Sequence, residues 1–451
     1  MVLLSIFSLM TMAIFTYIVF KIDYQKQTVV KGIGLGLIYF VFIPLIPPIF
    51  FHQTRVQSQY ATWSIFSLND SYLSLLMIVL FSIIWIILCQ IIYSSLAKIK
   101  EHVKYYECID ESSEQNHKVK KLWLAYCISG LGCVSIITFF LIVFKSSGAK
   151  WTEHHEVMAV ILGPTLYSVI KMMSVALMIV SSVSIQSIIK VKGESITLTF
   201  LYFMIPIYEM ITSSNRIYVF TFAIIYIFLN VSNLSIKKKL TYSVGAFFAI
   251  YFFILWGSIR AFIHDHSFIE SLEKAVEYQS YTQSNIEQYS DEIVNVINSV
   301  TEGTNVYVLK QVIDDFPNKY EFITYQPYLK ILSIIIPRTI WPDKPESAPL
   351  FFANLYNPEI EGFSLNGTIL AEGYASFGFL GMFTIIILMS YVLLILKYIS
   401  NNFLGNYFST VITLFFGFMC VRYGALSDVV LMVLFTIISL LIINIMQRFI
   451  K

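Results

Sequence analysis

The chain has 451 residues, 57% of them hydrophobic and only 13% charged, against about a quarter charged in soluble domains; its mean hydropathy is +0.72. This balance excludes an ordinary water-soluble globular protein and points to a polytopic membrane protein, in which a net charge of +2 says nothing about nucleic acid because the charges are segregated by side of the membrane; no nucleic-acid partner is expected. Five cysteines (Cys89, Cys108, Cys127, Cys133 and Cys420) fall in apolar runs or a lysine-rich loop, which implies neither a disulfide framework nor a CxxC metal site.

Apolar runs of about 20 residues, enough to cross about 30 Å of hydrocarbon, occur at 2–20, 29–51, 72–96, 122–144, 157–185, 195–211, 217–233, 240–258, 366–396, 407–424 and 428–447. The pattern predicts an all-α polytopic membrane protein with about eleven transmembrane helices. The first run lacks a basic n-region and a small-residue cleavage site, so it reads as a retained helix. Orientation follows from lysine and arginine in the short loops. With the N-terminus external, internal segments carry seventeen basic residues and external short loops five. The C-terminus is then cytoplasmic, and three segments result: helices one to eight over 1–258, a large external loop over 259–365, and the last three helices over 366–451.

That loop carries fifteen acidic and seven basic residues. Phe268, Ile269, Leu272 and Val276 recur at helical spacing, as do Val306, Leu309, Val312, Ile313 and Phe316, so both stretches read as amphipathic helices. Seven of the twelve prolines lie between Pro317 and Pro358. Proline fixes φ and pushes its predecessor out of the helical region, so the stretch from Pro337 to Pro345 reads as a stiff, non-helical support for Arg338, Trp341 and Lys344.

Five of the six arginines (Arg55, Arg216, Arg260, Arg338 and Arg422) fall on the external side, against the bias of the lysines. Guanidinium forks onto phosphate oxygens in a way the point charge of lysine cannot copy. An arginine rim therefore suggests a receptor for phosphate or pyrophosphate; the alternative is helix ends snorkelling to lipid phosphates. Glu372, in AEGYASFGFLG, is a carboxylate in an apolar run and a functional candidate. Gly373, Gly378 and Gly381 would let helices approach and bring it towards Arg422 or Arg338, as a general base or sugar-hydroxyl binder, or as half of a buried ion pair. Lys171 and Asp428 read as paired inside the bundle, and Glu209 precedes a polar turn ending at Arg216. The clusters Glu153 to Glu156 and His264 to His266 lack helical ligand spacing and read as solvated loops; no metal site is expected.

IPRTIWPDKP near the end of the loop, AEGYASFGFLG opening the next helix, SSNR before Ile217 and Val421-Arg422-Tyr423-Gly424 together resemble the Wzy-type polymerases of bacterial O-antigen and capsular polysaccharide. The resemblance implies a fold like that of GT-C-like membrane glycosyltransferases, in the bacterial plasma (inner) membrane. It implies a donor and an acceptor that are both undecaprenyl-pyrophosphate-linked oligosaccharides, with membrane lipid and a chain-length regulator as further partners and no cofactor. Carried onto this chain, it suggests Glu372 and Arg338 as catalytic, with Arg216, Arg260, Arg422, Lys344, Trp341 and Tyr374 binding substrate. An O-antigen ligase shares this layout, and a flippase or exporter of lipid-linked sugars is the other class that needs many helices and cavity cations.

Overall fold

The computed structural model describes residues 2–23, 25–51, 53–55, 65–67, 84, 87, 111–147, 154–213, 216–230, 256, 259, 268–284, 302–333, 336, 340–356, 358 and 364–449. Arg260 and Arg338, and the apolar runs at 72–96 and 240–258 apart from Ile84, Ile87 and Trp256, lie outside the described residues. Those described are helical apart from turns and one antiparallel hairpin, β1 (Gln53–Arg55) against β2 (Ile65–Ser67). Five helical stretches are long and apolar enough to cross a membrane: Thr28–Ile46, Val119–Ser146, Leu166–Lys192, Phe379–Leu404 and Leu426–Gln447. Shorter apolar helices cover Ile6–Lys21, Ile196–Thr212, Ile217–Asn230 and Asn406–Arg422. The chain is a helical, multi-pass membrane protein.

It forms two compact units. The first comprises Met1–Glu111, Gln288–Ile399 and Thr413–Val433 and the second Ser112–Glu287, Ser400–Ile412 and Leu434–Lys451.

In the first unit, α1 (Val2–Lys21) turns into α2 (Thr28–Leu37), which continues through a π-helical turn (Ile38–Phe42) into α3 (Ile43–Phe51). Two lysines lock the α1–α2 turn. Lys31 Nζ donates to the carbonyls of Phe20 and Ile22, both at 2.9 Å, satisfying oxygens that the end of α1 leaves open. Lys397 Nζ donates to Thr28 Oγ1 at 3.0 Å and to the Gln25 carbonyl at 3.3 Å.

Glycine sets a close helix crossing in this unit. A Cβ on Gly32 would lie 2.9 Å from the Leu414 carbonyl oxygen, and one on Gly36 only 2.6 Å from that of Phe418. Both partners belong to α15 (Asn406–Arg422). Four residues along one helix match four along the other, so the two run in the same sense. Small residues permit such approach where lipid supplies no hydrophobic drive. Gly36→Val is expected to lower stability by about 1–3 kcal/mol through overpacking, read as an earlier thermal unfolding of the detergent-purified protein; an unchanged transition would show that the crossing can open without cost.

The second unit contains α4 (Glu111–Ser147), α5 (His154–Leu162), α6 (Pro164–Lys192), α7 (Ile196–Ser213), α8 (Ile217–Asn230) and α9 (Phe268–Ser284). Apolar side chains dominate its interior, yet α6 buries Ser181, Ser182, Ser184, Gln186 and Ser187. Three of the hydroxyls are met by carbonyls: Ser184 and Ser187 donate one turn back, and Ser182 donates to the Tyr202 carbonyl at 3.2 Å. Tyr202, fully buried, donates to the Phe222 carbonyl at 3.0 Å. Lys171 Nζ lies 5.9 Å from the centroid of the Tyr167 ring.

The remaining helices of the first unit are α10 (Thr304–Asp315), α11 (Gln326–Ser333), α12 (Ala348–Tyr356), α13 (Thr368–Phe377), and parts of α14 (Phe379–Leu404), α15 and α16 (Leu426–Phe449). Two expected spans are broken. The run at 157–185 divides at Gly163 (φ 79°), and that at 366–396 at Gly378 (φ 60°), a backbone region that costs glycine little and other residues more. After Gly378 the chain folds back: a Cβ on Gly373 would lie 2.9 Å from the Met382 Cα, and Gly381 abuts the Gly373 carbonyl.

The helix expected around 306–316 buries its whole stripe, Val306, Leu309, Val312, Ile313 and Phe316. In α9 the stripe is offset. Ile269 and Val276 face outward while Leu272 and Ala275 pack with Met210, Trp256 and Ile259. Two short helices, α11 and α12, flank the proline-rich stretch from Pro337 to Pro345.

Candidate functional site

The turn between α15 and α16, Tyr423-Gly424-Ala425, gathers the described charges of interest within the first unit. A helix leaves its first N–H groups without intrahelical partners. For α16 one of these is met from a distance: Glu372 Oε2 accepts the Leu426 N–H at 2.5 Å. Glu372 is 1% exposed, and a carboxylate at the positive end of a helix is favourably placed. It belongs to the short α13, separated from the span by Gly378, rather than lying inside a continuous transmembrane helix. Asp428, in the first turn of α16, accepts a hydrogen bond from Ser427 Oγ at 3.4 Å.

Arg422 ends α15. Its Nε donates to Glu302 Oε2 at 2.7 Å and its second guanidinium nitrogen to Oε1 at 3.1 Å. This fork-to-fork geometry is the stronger form of the arginine–carboxylate contact. The guanidinium carbon also lies 5.5 Å from the Tyr423 ring centroid. Glu302 adopts φ 54°, sparsely occupied by residues other than glycine, directly before Gly303 and α10. The contacts here are Glu372 with the head of α16 and Arg422 with Glu302. Gly424 completes the turn, since a Cβ there would lie 3.0 Å from both Asn366 Oδ1 and Pro349 Cγ.

Pro349 ties this turn to the proline-rich strap. Its carbonyl accepts the Leu365 N–H at 2.9 Å, and α12, which carries it, follows the segment of Trp341 and Lys344. Lys344 is buried. Its Nζ donates to the carbonyls of Ser333 at 3.2 Å and Ile336 at 3.0 Å, at the C-terminal end of α11. Lys330 answers in the opposite direction, donating to the Pro345 carbonyl at 3.0 Å. These two staples fix the ends of the loop between them, so its stiffness comes from lysines as well as prolines. Trp341 is half-buried and its carbonyl accepts the Lys344 N–H at 3.3 Å. Tyr374 is buried, its ring 5.3 Å from that of Phe379 and 6.5 Å from that of Phe322.

Arg216 is half-buried at the head of α8, in the second unit. Arg55 is described only as backbone in β1, and Arg260 and Arg338 lie outside the described residues. The structure therefore brings together Arg422, Glu372 and, without forewarning, Glu302, Asn366 and Pro349. Among fifteen loop acids, the one cue to Glu302 is its Glu-Gly step before an amphipathic run. Among the described residues no three His, Cys, Asp or Glu side chains gather as a metal-binding group. Compared with family models, with curated proteins and with solved structures, the chain matches none.

Proposed function

We propose that this chain is a membrane glycosyltransferase that polymerises undecaprenyl-pyrophosphate-linked oligosaccharide repeat units into O-antigen or capsular polysaccharide on the external face of the bacterial plasma membrane. In this proposal eleven helices cross the membrane in a GT-C-like arrangement, with the N-terminus outside and the C-terminus in the cytoplasm. The acceptor sugar hydroxyl attacks the anomeric carbon of the donor chain as the bond from that carbon to the pyrophosphate oxygen breaks. The proton leaves with a base, for which Glu372 is the candidate, and the negative charge stays on the departing lipid pyrophosphate. Arginines meet that charge.

The observation that carries the proposal is the two-point contact of Arg422 with a carboxylate, at 2.7 and 3.1 Å, beside the turn that Glu372 secures. A fork that holds a carboxylate in two places has the geometry to hold a phosphate group. Glu302 thus acts as a resident anion that the donor pyrophosphate replaces. One preorganised charge contact of this kind contributes about 3 kcal/mol to lowering a barrier.

The test is the surface polysaccharide of a strain lacking the protein, together with polymerisation by the purified chain on a defined lipid-linked repeat. Single repeat units on the lipid core, and polymer formed in vitro with or without chelator, are the expected results. Free lipid-linked polymer in the deletion strain would make the protein a ligase. Repeat units stranded on the cytoplasmic face would make it a flippase.

A further inference from the structure

Most surface helices turn an apolar stripe inward and a polar one to solvent; α11 also turns a set of apolar and aromatic side chains outward. Tyr325, just before the helix, and Tyr328, Leu329 and Leu332 share one face at helical spacing. Leu332 is 75% exposed and Tyr325 63%. The rest of the helix is held to the protein. Pro327 and Ser333 are buried, and Lys330 reaches the Pro345 carbonyl. Ile340, beyond the helix, is likewise apolar and 74% exposed. None of these outward side chains is charged.

The patch continues onto a membrane span. Tyr328 and Thr384 hydroxyls are hydrogen bonded at 2.5 Å, and the Tyr328 ring stacks with that of Phe377, centroids 6.4 Å apart. Thr384 lies on α14, five residues into the candidate span Phe379–Leu404, or about 7.5 Å along the helix axis. That span turns its own outward stripe, Leu380, Ile387, Tyr391, Ile395 and Tyr398, away from the protein, with Leu380 at its head 71% exposed. The outward face of α11 and the lipid-facing stripe of α14 are thus linked where Tyr328 meets Phe377 and Thr384.

The geometry points to α11 as an interfacial helix that lies in the membrane leaflet where α14 begins. Tyr325, Leu332 and Ile340 contact acyl chains there. Tyrosine at the headgroup level and aliphatic side chains below it are the composition such a position selects. Lysine and the buried serine on the inner side tie the helix to the strap, so the strap that carries Trp341 rests on the bilayer surface. The inference depends on α14 crossing the membrane and not on the reaction proposed above, so either can fail without the other.

The test uses the full chain in phosphatidylcholine–phosphatidylglycerol vesicles, with a nitroxide on Leu332→Cys or Ile340→Cys after replacement of the native cysteines. Relaxation dominated by dissolved oxygen rather than by a water-soluble nickel chelate is expected at both sites. Ile269→Cys, on an α9 surface flanked by exposed Glu270 and Glu273, should show the chelate-dominated pattern. A second variant avoids the cysteine changes: benzoyl-phenylalanine at position 332 in the otherwise native chain should give a lipid adduct on irradiation, read by mass spectrometry. Chelate-dominated relaxation at 332 and 340, or an adduct to protein instead of lipid, would overturn the inference.

Discussion

Glu372→Gln and Glu372→Ala are expected to part company. Both remove the carboxylate, but glutamine keeps a carbonyl oxygen that can accept the Leu426 N–H now held at 2.5 Å. Alanine leaves that buried donor without its acceptor, at a cost of about 2 kcal/mol between the lost cap and the unmet N–H. Detergent-purified Glu372→Ala should therefore unfold at lower temperature, with Glu372→Gln close to the parent. Polymerisation then separates the two roles open to Glu372. If its carboxylate takes the acceptor proton, Glu372→Gln should form polymer about a hundredfold more slowly while remaining folded. A folded, fully active Glu372→Gln would leave Glu372 as the residue that holds the head of α16, and the base would have to be sought elsewhere.

Arg422 and Glu302 should respond with opposite signs. Arg422→Lys keeps the charge and loses the fork, so the rate should fall by about 100-fold or more. Glu302→Gln leaves the guanidinium in place with a weaker occupant. The apparent KM for lipid-linked donor should then drop by about tenfold, since hydrogen bonds to a charged group are worth about 1.5–3 kcal/mol. Inorganic pyrophosphate should inhibit that variant at lower concentration than the parent. If Glu302→Gln instead raises KM or behaves as Arg422→Lys does, Glu302 is part of the fixed framework and no anion replaces it.

What could be anticipated from the residues, and what could not, follows from the physics involved. Crossing segments announce themselves by long apolar runs, because the membrane demands them, and the described runs all fall on helices. The breaks at Gly163 and Gly378 escaped notice because hydropathy is blind to one residue with positive φ. Arg422 stands out in sequence as one of the arginines on the external side, but its partner does not. The Glu302 contact joins residues 120 positions apart, and nothing local to either records it. Lys344 shows the converse. In sequence it reads as a cation displayed on a rigid loop, whereas its Nζ is turned inward onto the carbonyls of Ser333 and Ile336, which come within its reach only once the chain folds back past α11. The outward face of α11 was hidden for a similar reason, since periodicity shows that a helix has two sides but not which of them meets the protein.

The crossing of α2 and α15 decides which half of the Arg422 contact gives way. Backbone meets backbone at Gly32, Gly36 and Gly417, so neither helix can slide or roll without collision. Arg422 stands five residues beyond Gly417 on the same helix, about 7.5 Å further along. It is the fixed jaw of a clamp. Glu302 is mounted on a turn ahead of α10; in the exchange proposed above, where a donor anion competes for the guanidinium, the carboxylate is the jaw that would swing aside.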